Sequence, residues 1–470
     1  MLPLMESSPR LEYLSRLTLF STIPNHSPRL SAKPAASWFA MLLLCASAGL
    51  SCEVRRTQRS QAGSVQRIAC APKVASGGAG GFIGATAGAV GTSDASAGMA
   101  GANSSCLGAM WAAAGANAAA GNGPMFGSAG NAGNAGSAGS ATLTASHVER
   151  AILVSVDGLG AKYIEAQFAK GKLPAFAALR ELGSSTLNAR SDYDDNYTLP
   201  NHTTILTGRP VNRDIDLPAD VHHGWTINGV VDASVTLHNS GNPLLKYIAS
   251  VFDVAHDWGK RTCMYAGKPK FSLYSNSYDA VNGAPDTIGV DNGRNKLDRV
   301  VLFDDSTELL MSTVEADLSQ GLCDFVFIHI ADLDTLGHAL GWGSDPWIAR
   351  LDLVDGWLER LSRFTRGGKT DSPFGLVVTA DHGGGASGHG DPTDNWNYQI
   401  PFFAVGPGYA PNTDLYEIAN GGRCDPGLVR PRYSNLQQPV RNADAANAVL
   451  AMLGLPPVPG SLMRNLLATR

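Results

Sequence analysis

Three short apolar segments that each end in an aspartate constrain the fold of this 470-residue chain most strongly. They read AILVSVD (151–157), DFVFIHIAD (324–332) and FGLVVTAD (374–381). Each is apolar at consecutive positions, which is typical of strands in a parallel sheet that is covered on both faces. Helical patterns lie between them, above all residues 346–364, where five large apolar side chains recur at helical spacing: Trp347, Leu351, Val354, Leu358 and Leu361. The sequence therefore predicts a doubly wound, mostly parallel α/β sheet with helices on both faces, formed by residues 146–470.

The first 52 residues carry the pattern of an export signal. An apolar run at 38–50 follows Arg29 and Lys33 and is too short to span a bilayer. The alternative of a buried core helix is disfavoured, because nothing nearby could form a core around it. Cys52 closes the run and is a candidate for lipidation, although Gly49 stands where a lipoprotein signal usually has leucine. We therefore expect an exported protein in the periplasm or at the cell surface, with a lipid anchor at Cys52 as one option.

Residues 53–145 are predicted to be a disordered linker. Between residues 75 and 141, 40 of 67 residues are Gly or Ala and Asp94 is the only charged one, so little apolar surface is available to offset the entropy of ordering. The formal charge of −5 gives no basic footprint for nucleic-acid binding. The seven cysteines form no C-x-x-C pair, which allows one disulfide but not a disulfide scaffold. No protein partner can be inferred.

Carboxylates and imidazoles follow the three predicted strands and suggest a metal centre. Because the carboxyl ends of parallel strands meet at one edge of a sheet, we expect these side chains to lie close together. Carboxylate oxygens and imidazole nitrogens are the ligands that a catalytic zinc prefers, and their number suggests two metals. Singly, each is more often a turn or capping residue. The candidate ligands are Asp157, Asp334, His338, Asp381, His382 and His389. Three other aspartates, Asp332, Asp352 and Asp355, are interpreted as structural, and the last two are expected on a solvated helix face.

The segment TLPNHTTILTG (198–208) supplies a candidate nucleophile. The hydroxyl of Thr198 needs a base or a metal to become nucleophilic, and attack on phosphorus needs cations to neutralise the attacking and leaving oxygens. Asn201 could donate its amide to a phosphoryl oxygen. The alternative reading is a helix entry in which Thr198 or Asn201 is the N-cap, and the two readings are compatible because a helix N-terminus attracts anions.

Taken in order, VSVDGL, TLPNHTTILTG, DLDTLGH, TADHGGG, GHGD and PVRNADAANAVLAMLGLPPVPGS resemble the alkaline phosphatase superfamily, in its type I phosphodiesterase/nucleotide pyrophosphatase branch. The resemblance covers roughly residues 148–465. It implies that Asp157, Thr198, Asp381 and His382 bind one zinc, and that Asp334, His338 and His389 bind the other. It further implies that Thr198 forms a phosphothreonine intermediate and that Asn201 contacts the phosphate. Other divalent metals are compatible with the same ligands.

The expected activity is cleavage of phosphodiester or pyrophosphate bonds in nucleotide-like small molecules. The formylglycine chemistry of sulfatases is excluded, since the matching motif has Thr198 in place of Cys or Ser. The alternatives are a phosphomonoesterase or phosphonate hydrolase with the same two-metal site, a phosphoryl mutase, and a non-catalytic binding protein. The phosphomonoesterase or phosphonate hydrolase stays open as an alternative. A mutase is disfavoured because it would use a serine nucleophile, and a binding protein is disfavoured because it would normally have lost a metal ligand or the nucleophile. Four residues between the nucleophile and the second strand are candidates for substrate contacts: Trp225, Lys268, Lys270 and Tyr278.

Overall fold

The computed structural model describes residues 147–289, 293–303, 306–367, 372–386, 388–418, 422–463 and 466–467. The predicted export signal (1–52) and linker (53–145) lie outside the described residues. Among the described helices, none is both long enough and apolar enough to cross a membrane.

A mixed sheet organises this part of the chain. Its strands, numbered along the chain, are β1 Arg150–Val156, β2 Ser184–Arg190, β3 Thr262–Ala266, β4 Arg299–Leu302, β5 Phe325–Ile330, β6 Phe374–Thr379, β7 Gln399–Val405 and β8 Thr413–Asp414. They lie in the order β4-β3-β5-β1-β6-β7-β2-β8, with β1 parallel to both β5 and β6. The three strands predicted from sequence are thus adjacent at the centre. Only β7 runs antiparallel to its neighbours β6 and β2, so the mostly parallel α/β fold is confirmed.

Helices cover the sheet. They are α1 Ala161–Phe168, α2 Pro174–Leu182, α3 Thr198–Thr207, α4 Leu237–Ser240, α5 Val251–Asp257, α6 Ser272–Ser277, α7 Thr307–Ser319, α8 Asp332–Leu340, α9 Asp345–Thr365, α10 Asn395–Tyr398, α11 Leu415–Ile418 and α12 Ala445–Met452, with 3-10 turns at Pro269–Phe271 and Asn442–Asp444. Every residue of β5 and β6 is buried, which explains their unbroken apolar sequences. The five apolar residues predicted to form the inner face of α9 are all buried.

Two local predictions were wrong. Neither Thr198 nor Asn201 is the N-cap of α3, because the helix begins at Thr198, Tyr197 occupies the cap, and no side chain caps the helix end. Asp355 on α9 was expected on a solvated helix face, but it is buried. Its carboxylate accepts the backbone N–H groups of Ala175 and Phe176 at 3.1 and 2.9 Å, at the start of α2. Asp355 therefore satisfies the N-terminus of a neighbouring helix.

A disulfide joins Cys263 in β3 to Cys323, two residues before β5. It cross-links two adjacent strands of the sheet near their amino ends, opposite the edge at which the predicted ligands lie.

Candidate metal centre

The predicted ligands meet at the carboxyl edge of the three central strands. Asp157 follows β1 directly, and Asp381 and His382 follow β6. Asp334 and His338 lie one turn apart on α8, which begins just after β5. His389 returns to the same edge from the loop after β6. The convergence expected from parallel strands is therefore present.

Asp157, Asp381 and His382 form one group, which we call the first triad. The Nε2 atom of His382 lies 3.5 Å from Oδ1 of Asp157 and 3.2 Å from Oδ2 of Asp381. All three side chains are fully buried. Two carboxylates and an imidazole so close together can hold one metal ion.

Asp334, His338 and His389 form the second triad. The Nε2 atoms of the two histidines are 3.0 Å apart and lie 3.3 Å (His338) and 3.5 Å (His389) from Oδ1 of Asp334. Bonds of about 2.0 to 2.2 Å to a tetrahedral zinc would separate adjacent ligand atoms by about 3.3 to 3.6 Å, so the triangle has suitable dimensions. A ligand atom of His382 is also within 4.8 Å of the ligand atoms of Asp334 and His389, so the two triads are adjacent at His382.

Four of the six predicted ligand side chains use one polar atom internally and leave another without a hydrogen bond. Oδ1 of Asp381 accepts the backbone N–H groups of Gly158 (3.1 Å) and His382 (2.8 Å), whereas its Oδ2 has no hydrogen bond. Nδ1 of His382 donates to the carbonyl of Gly383, which leaves Nε2 as an unpartnered acceptor. Oδ1 of Asp157 and of Asp334 are likewise buried without a hydrogen bond. Buried polar atoms are normally paired, so four bare acceptors in one cluster fit bound cations.

Two residues outside the predicted ligand set bind the remaining carboxylate oxygens, Oδ2 of Asp157 and Oδ2 of Asp334. Nζ of Lys268 donates at 2.6 Å to Oδ2 of both Asp157 and Asp334, and so bridges the two triads. His329, in β5, accepts the N–H of Gly267 at Nδ1 and therefore donates from Nε2 to Oδ2 of Asp157 at 3.0 Å. The signal for His329 was present, because a histidine inside an apolar strand needs a partner.

The local charges set the protonation of the centre. Burial opposes ionisation of Asp157, but Lys268 and the hydrogen bond from His329 hold the pKa of Asp157 well below its ordinary value. Burial, and then the Asp157 and Asp334 carboxylates, raise the pKa of Asp381 well above its ordinary value. Burial and the neighbouring His382 lower the pKa of His389 to about 3, so its imidazole is neutral at physiological pH. A neutral imidazole is the form that binds a metal.

Thr198 lies at the first position of α3, beside the first triad. His202, one turn later, donates from Nδ1 to the carbonyl of Thr198 at 2.7 Å, and the same nitrogen is 3.5 Å from Oδ2 of Asp381. On the other side, Nδ1 of His389 donates at 2.7 Å to the carbonyl of Asn196, two residues before Thr198. The segment that carries Thr198 is thereby tied to both triads.

Asn201 uses its side chain within the protein. Its Nδ2 donates to the carbonyls of Asp195 and Tyr197 at 2.6 and 3.3 Å, and its Oδ1 accepts from the backbone of Asp192 and from Asn442. Asn442 also donates to the carbonyl of Asp381. Asn201 therefore fixes the loop that precedes Thr198 and links it to the strand end that carries Asp381.

The candidate substrate contacts separate into two kinds. Trp225 and Tyr278 are fully buried core residues, so they are not placed to stack on a substrate. Lys268 and Lys270 both lie at the centre. Lys270 donates to Oδ1 of Asn228, which also accepts the N–H of Leu199 at 3.0 Å in the first turn of α3. Asn228, which sequence reasoning missed, thus braces the helix start that carries Thr198.

Comparison with known proteins adds a family match. The family model described as type I phosphodiesterase/nucleotide pyrophosphatase matches residues 151–213 and 249–445, which together are more than half of the chain. The first segment contains Asp157 and Thr198, and the second contains the other five residues of the two triads. Among curated proteins, GPI ethanolamine phosphate transferase 1 from Emericella nidulans is 30% identical over 134 residues, which cover 27% of this chain and 14% of that protein. The chain therefore spans only a small part of that relative's length.

Solved structures with similar folds include murine ectonucleotide pyrophosphatase/phosphodiesterase 5, at 13% identity and a TM-score of 0.45, covering 66% of this chain and 96% of the murine one. An inactive form of the murine protein was solved in complex with AMP. Phosphonoacetate hydrolase from Sinorhizobium meliloti 1021 is 21% identical, with a TM-score of 0.35, covering 50% of this chain and 57% of that one.

Proposed function

Because this chain belongs to the type I phosphodiesterase/nucleotide pyrophosphatase family of the alkaline phosphatase superfamily, a group of phosphoric ester hydrolases, we propose that it is a two-zinc phosphodiesterase. Its substrates would be phosphodiesters or pyrophosphates of nucleotide-like small molecules. The observation that carries the proposal is the pair of triads, in which every member except His338 is buried and four ligand atoms are unpartnered, next to a threonine at a helix N-terminus.

In this proposal Asp157, Thr198, Asp381 and His382 hold one zinc, and Asp334, His338 and His389 hold the other. The donor set of carboxylate oxygens and neutral imidazoles suits zinc, and other divalent metals remain compatible with it. When bound, two such ions neutralise negative charge on the attacking and leaving oxygens of a phosphoryl transfer. The bare acceptor atoms of the triads are the atoms that would contact the ions.

Thr198 is the proposed nucleophile. Its Oγ1 attacks the phosphorus and forms a phosphothreonine, while the bond between phosphorus and the leaving ester oxygen breaks and the hydroxyl proton ends, by way of solvent, on that leaving oxygen. Water then attacks the phosphothreonine, which releases the phosphoryl product and restores the hydroxyl. The start of α3 favours an anion at this position, because the positive end of the macrodipole of a ten-residue helix lies there.

Asn201 supports the same step. As a phosphoryl contact it would exchange one of its two amide bonds to the loop carbonyls for the substrate oxygen. Its present bonds already keep the loop before Thr198 in place, which is a form of preorganisation.

An exposed aromatic ring favours a substrate with a planar group. Tyr197, next to Thr198 in the chain, is 46% exposed, and its ring lies edge-on to His389 at 5.9 Å between ring centres. A tyrosine that faces solvent beside the reacting centre offers a stacking surface for a base, which supports nucleotide-like substrates.

Lys270 favours one alternative, a phosphomonoesterase or phosphonate hydrolase with the same two-metal site. A monoester or a carboxylated phosphonate carries more negative charge than a diester. Lys270 donates to the neutral Oδ1 of Asn228 and so adds positive charge for such a substrate, whereas the charge of Lys268 is shared with Asp157 and Asp334.

The proposed location is outside the cytoplasm, with residues 1–52 as export signal, a lipid anchor at Cys52 as an option, residues 53–145 as linker, and residues 146–470 as the catalytic domain. The disulfide between Cys263 and Cys323 supports export, because disulfides persist in oxidising compartments.

The test compares hydrolysis of a p-nitrophenyl nucleotide diester with hydrolysis of p-nitrophenyl phosphate by the full chain. We expect the diester to be preferred, and activity to disappear with a chelator and return with zinc. Thr198→Ala should lower kcat by about 10³-fold or more, because Thr198 carries the only aliphatic hydroxyl in the first turn of α3, residues 198–201. Thr198→Ser is the matched control, since it keeps a nucleophilic hydroxyl, and it should retain measurable activity.

Preference for the monoester would replace the proposal with its alternative. Equal rates for Thr198→Ala and wild type would exclude Thr198 as the nucleophile. Mass spectrometry of acid-quenched enzyme should find the phosphorylated peptide 198–208 in wild type and in Thr198→Ser, and should not find it in Thr198→Ala.

A further inference from the structure

Trp342, in the loop between α8 and α9, lies against the second triad. Its ring stands edge-on to His338 at 5.0 Å and to His389 at 5.9 Å between ring centres. The side chain of His338 is otherwise 56% exposed, so few other contacts limit its rotation. The indole therefore packs against both imidazoles of this triad.

The indole N–H reaches the first triad as well. It donates at 3.1 Å to the carbonyl of Gly158, the residue after Asp157. The N–H of the same glycine donates at 3.1 Å to Oδ1 of Asp381. One side chain thus contacts the histidines of the second triad and holds the backbone turn that orients both carboxylates of the first.

The chain leaves room for this ring at two glycines. A Cβ atom at Gly337 would lie 2.3 Å from the Trp342 indole, and one at Gly384 would lie 2.2 Å from it, distances that real Cβ atoms essentially never show. Gly337 is inside α8, where glycine costs about 1 kcal/mol relative to alanine. Gly384 follows the strand-end segment that carries Asp381 and His382. Two segments that supply predicted ligands therefore have glycine, which lacks a side chain, where the indole packs against them.

We propose that Trp342 is a positioning residue for the metal centre, which sets the orientation of His338 and His389 and the spacing between the two triads. The proposal rests on the proposed two-metal function. It predicts that loss of the indole weakens metal binding at the second triad more than at the first, because its ring packs on both histidines of the second triad. Outer residues that orient ligands typically contribute 10- to 100-fold to metal affinity.

The test measures zinc binding, not activity. The full chain is stripped of metal, and zinc stoichiometry and affinity are measured by competition with a chromophoric chelator for wild type, Trp342→Ala and Trp342→Phe. We expect Trp342→Ala to bind one of its two zinc equivalents about 10- to 100-fold more weakly. Trp342→Phe keeps a ring but loses the N–H, so its loss should be smaller.

Trp357→Phe is the matched control. Trp357 is a largely buried tryptophan on α9 whose indole N–H donates to the carboxylate of Glu308, with none of the ring contacts to His338 and His389 that Trp342 makes. The substitution removes the same kind of hydrogen bond, and both zinc affinities should stay at the wild-type value. Circular dichroism checks that each variant is folded. If Trp342→Ala is not folded, the zinc affinities of Trp342→Phe alone decide whether Trp342 is a positioning residue.

Wild-type affinities in both Trp342 variants would overturn the positioning role and leave the two-metal proposal intact. An equal loss in Trp357→Phe would also overturn it, because the effect would then be general destabilisation. A wild-type chain that binds no divalent metal would overturn this proposal and the proposed function together.

Discussion

At the scale of single residues, four of the predicted ligand side chains are oriented through their second polar atom, the one that would not contact a metal. Lys268 takes Oδ2 of Asp157 and of Asp334, backbone N–H groups take Oδ1 of Asp381, and a carbonyl takes Nδ1 of His382. Although burial disfavours a charged lysine, the two carboxylates raise the pKa of Lys268 above its ordinary value. The ammonium therefore stays charged and holds two acidic side chains together in the absence of other cations.

Lys268→Met tests this role in the metal-free protein. Two buried carboxylates would lose their counter-charge, so we expect the free energy of unfolding in chelator to fall by about 3 kcal/mol in urea denaturation. Excess zinc should recover most of the difference, since ions that bind only the folded state stabilise it.

The matched control is Lys260→Met. Lys260 makes a peripheral ion pair with the exposed Glu149, at 3.0 Å, and its loss should change the stability by less than about 1 kcal/mol. An equal loss in the two variants, or a Lys268→Met protein as stable as wild type in chelator, would contradict the bridging role.

At the scale of elements, helix starts do much of the positioning. The helix α3 begins at Thr198 itself, and Pro200 falls in its first turn, where a missing N–H costs nothing. The helix α2 begins with Pro174, and its next two N–H groups are bound by Asp355 from α9. That contact joins two helices that pack beside β6 and β7.

Asp355→Ala should lower the free energy of unfolding by about 2 kcal/mol, because it leaves the N–H groups of Ala175 and Phe176 without their partner. Asp352→Ala is the control: it removes an exposed carboxylate from the same helix and should change the stability by less than about 0.5 kcal/mol. Similar urea midpoints for the two variants would exclude the capping role of Asp355.

Much of the fold and of the candidate site was predictable because it depends on local pattern. Unbroken apolar strands that end in aspartate predicted β1, β5 and β6, and from them the edge where the ligands meet. The contributions of Lys268, Asn228 and Trp342 were not predictable, since each depends on contacts between segments far apart in the chain. The cap of α3 was predicted wrongly because Thr and Asn are good caps in general, whereas here the tyrosine before them occupies that position.

At the scale of the whole molecule, the centre and the disulfide lie at opposite edges of the same strands. The ligands follow the carboxyl ends of β1, β5 and β6, whereas Cys263 and Cys323 lie near the amino ends of β3 and β5. The disulfide can therefore stabilise the sheet without contacting the site.

Replacing both cysteines with serine should cost about 4 kcal/mol, the chain-entropy expectation for a closed loop of this length, given the sequence separation of 60. The urea midpoint should fall, while zinc stoichiometry stays at the wild-type value. An unchanged midpoint in the double variant would show that the cross-link does not contribute to stability.

The hydrogen bond from Nδ1 of His389 to the carbonyl of Asn196 makes one imidazole a member of two assemblies, the second triad and the loop that leads into α3. An ion that orders this imidazole also orders the loop, so the free energy of ion binding and that of arranging Thr198 are thermodynamically linked. By reciprocity, a substrate that requires the arranged loop raises the affinity for the ion by the same factor by which the ion raises the affinity for the substrate. If the chain has the proposed two-metal function, cooperativity between metal and substrate is therefore expected through this one shared imidazole.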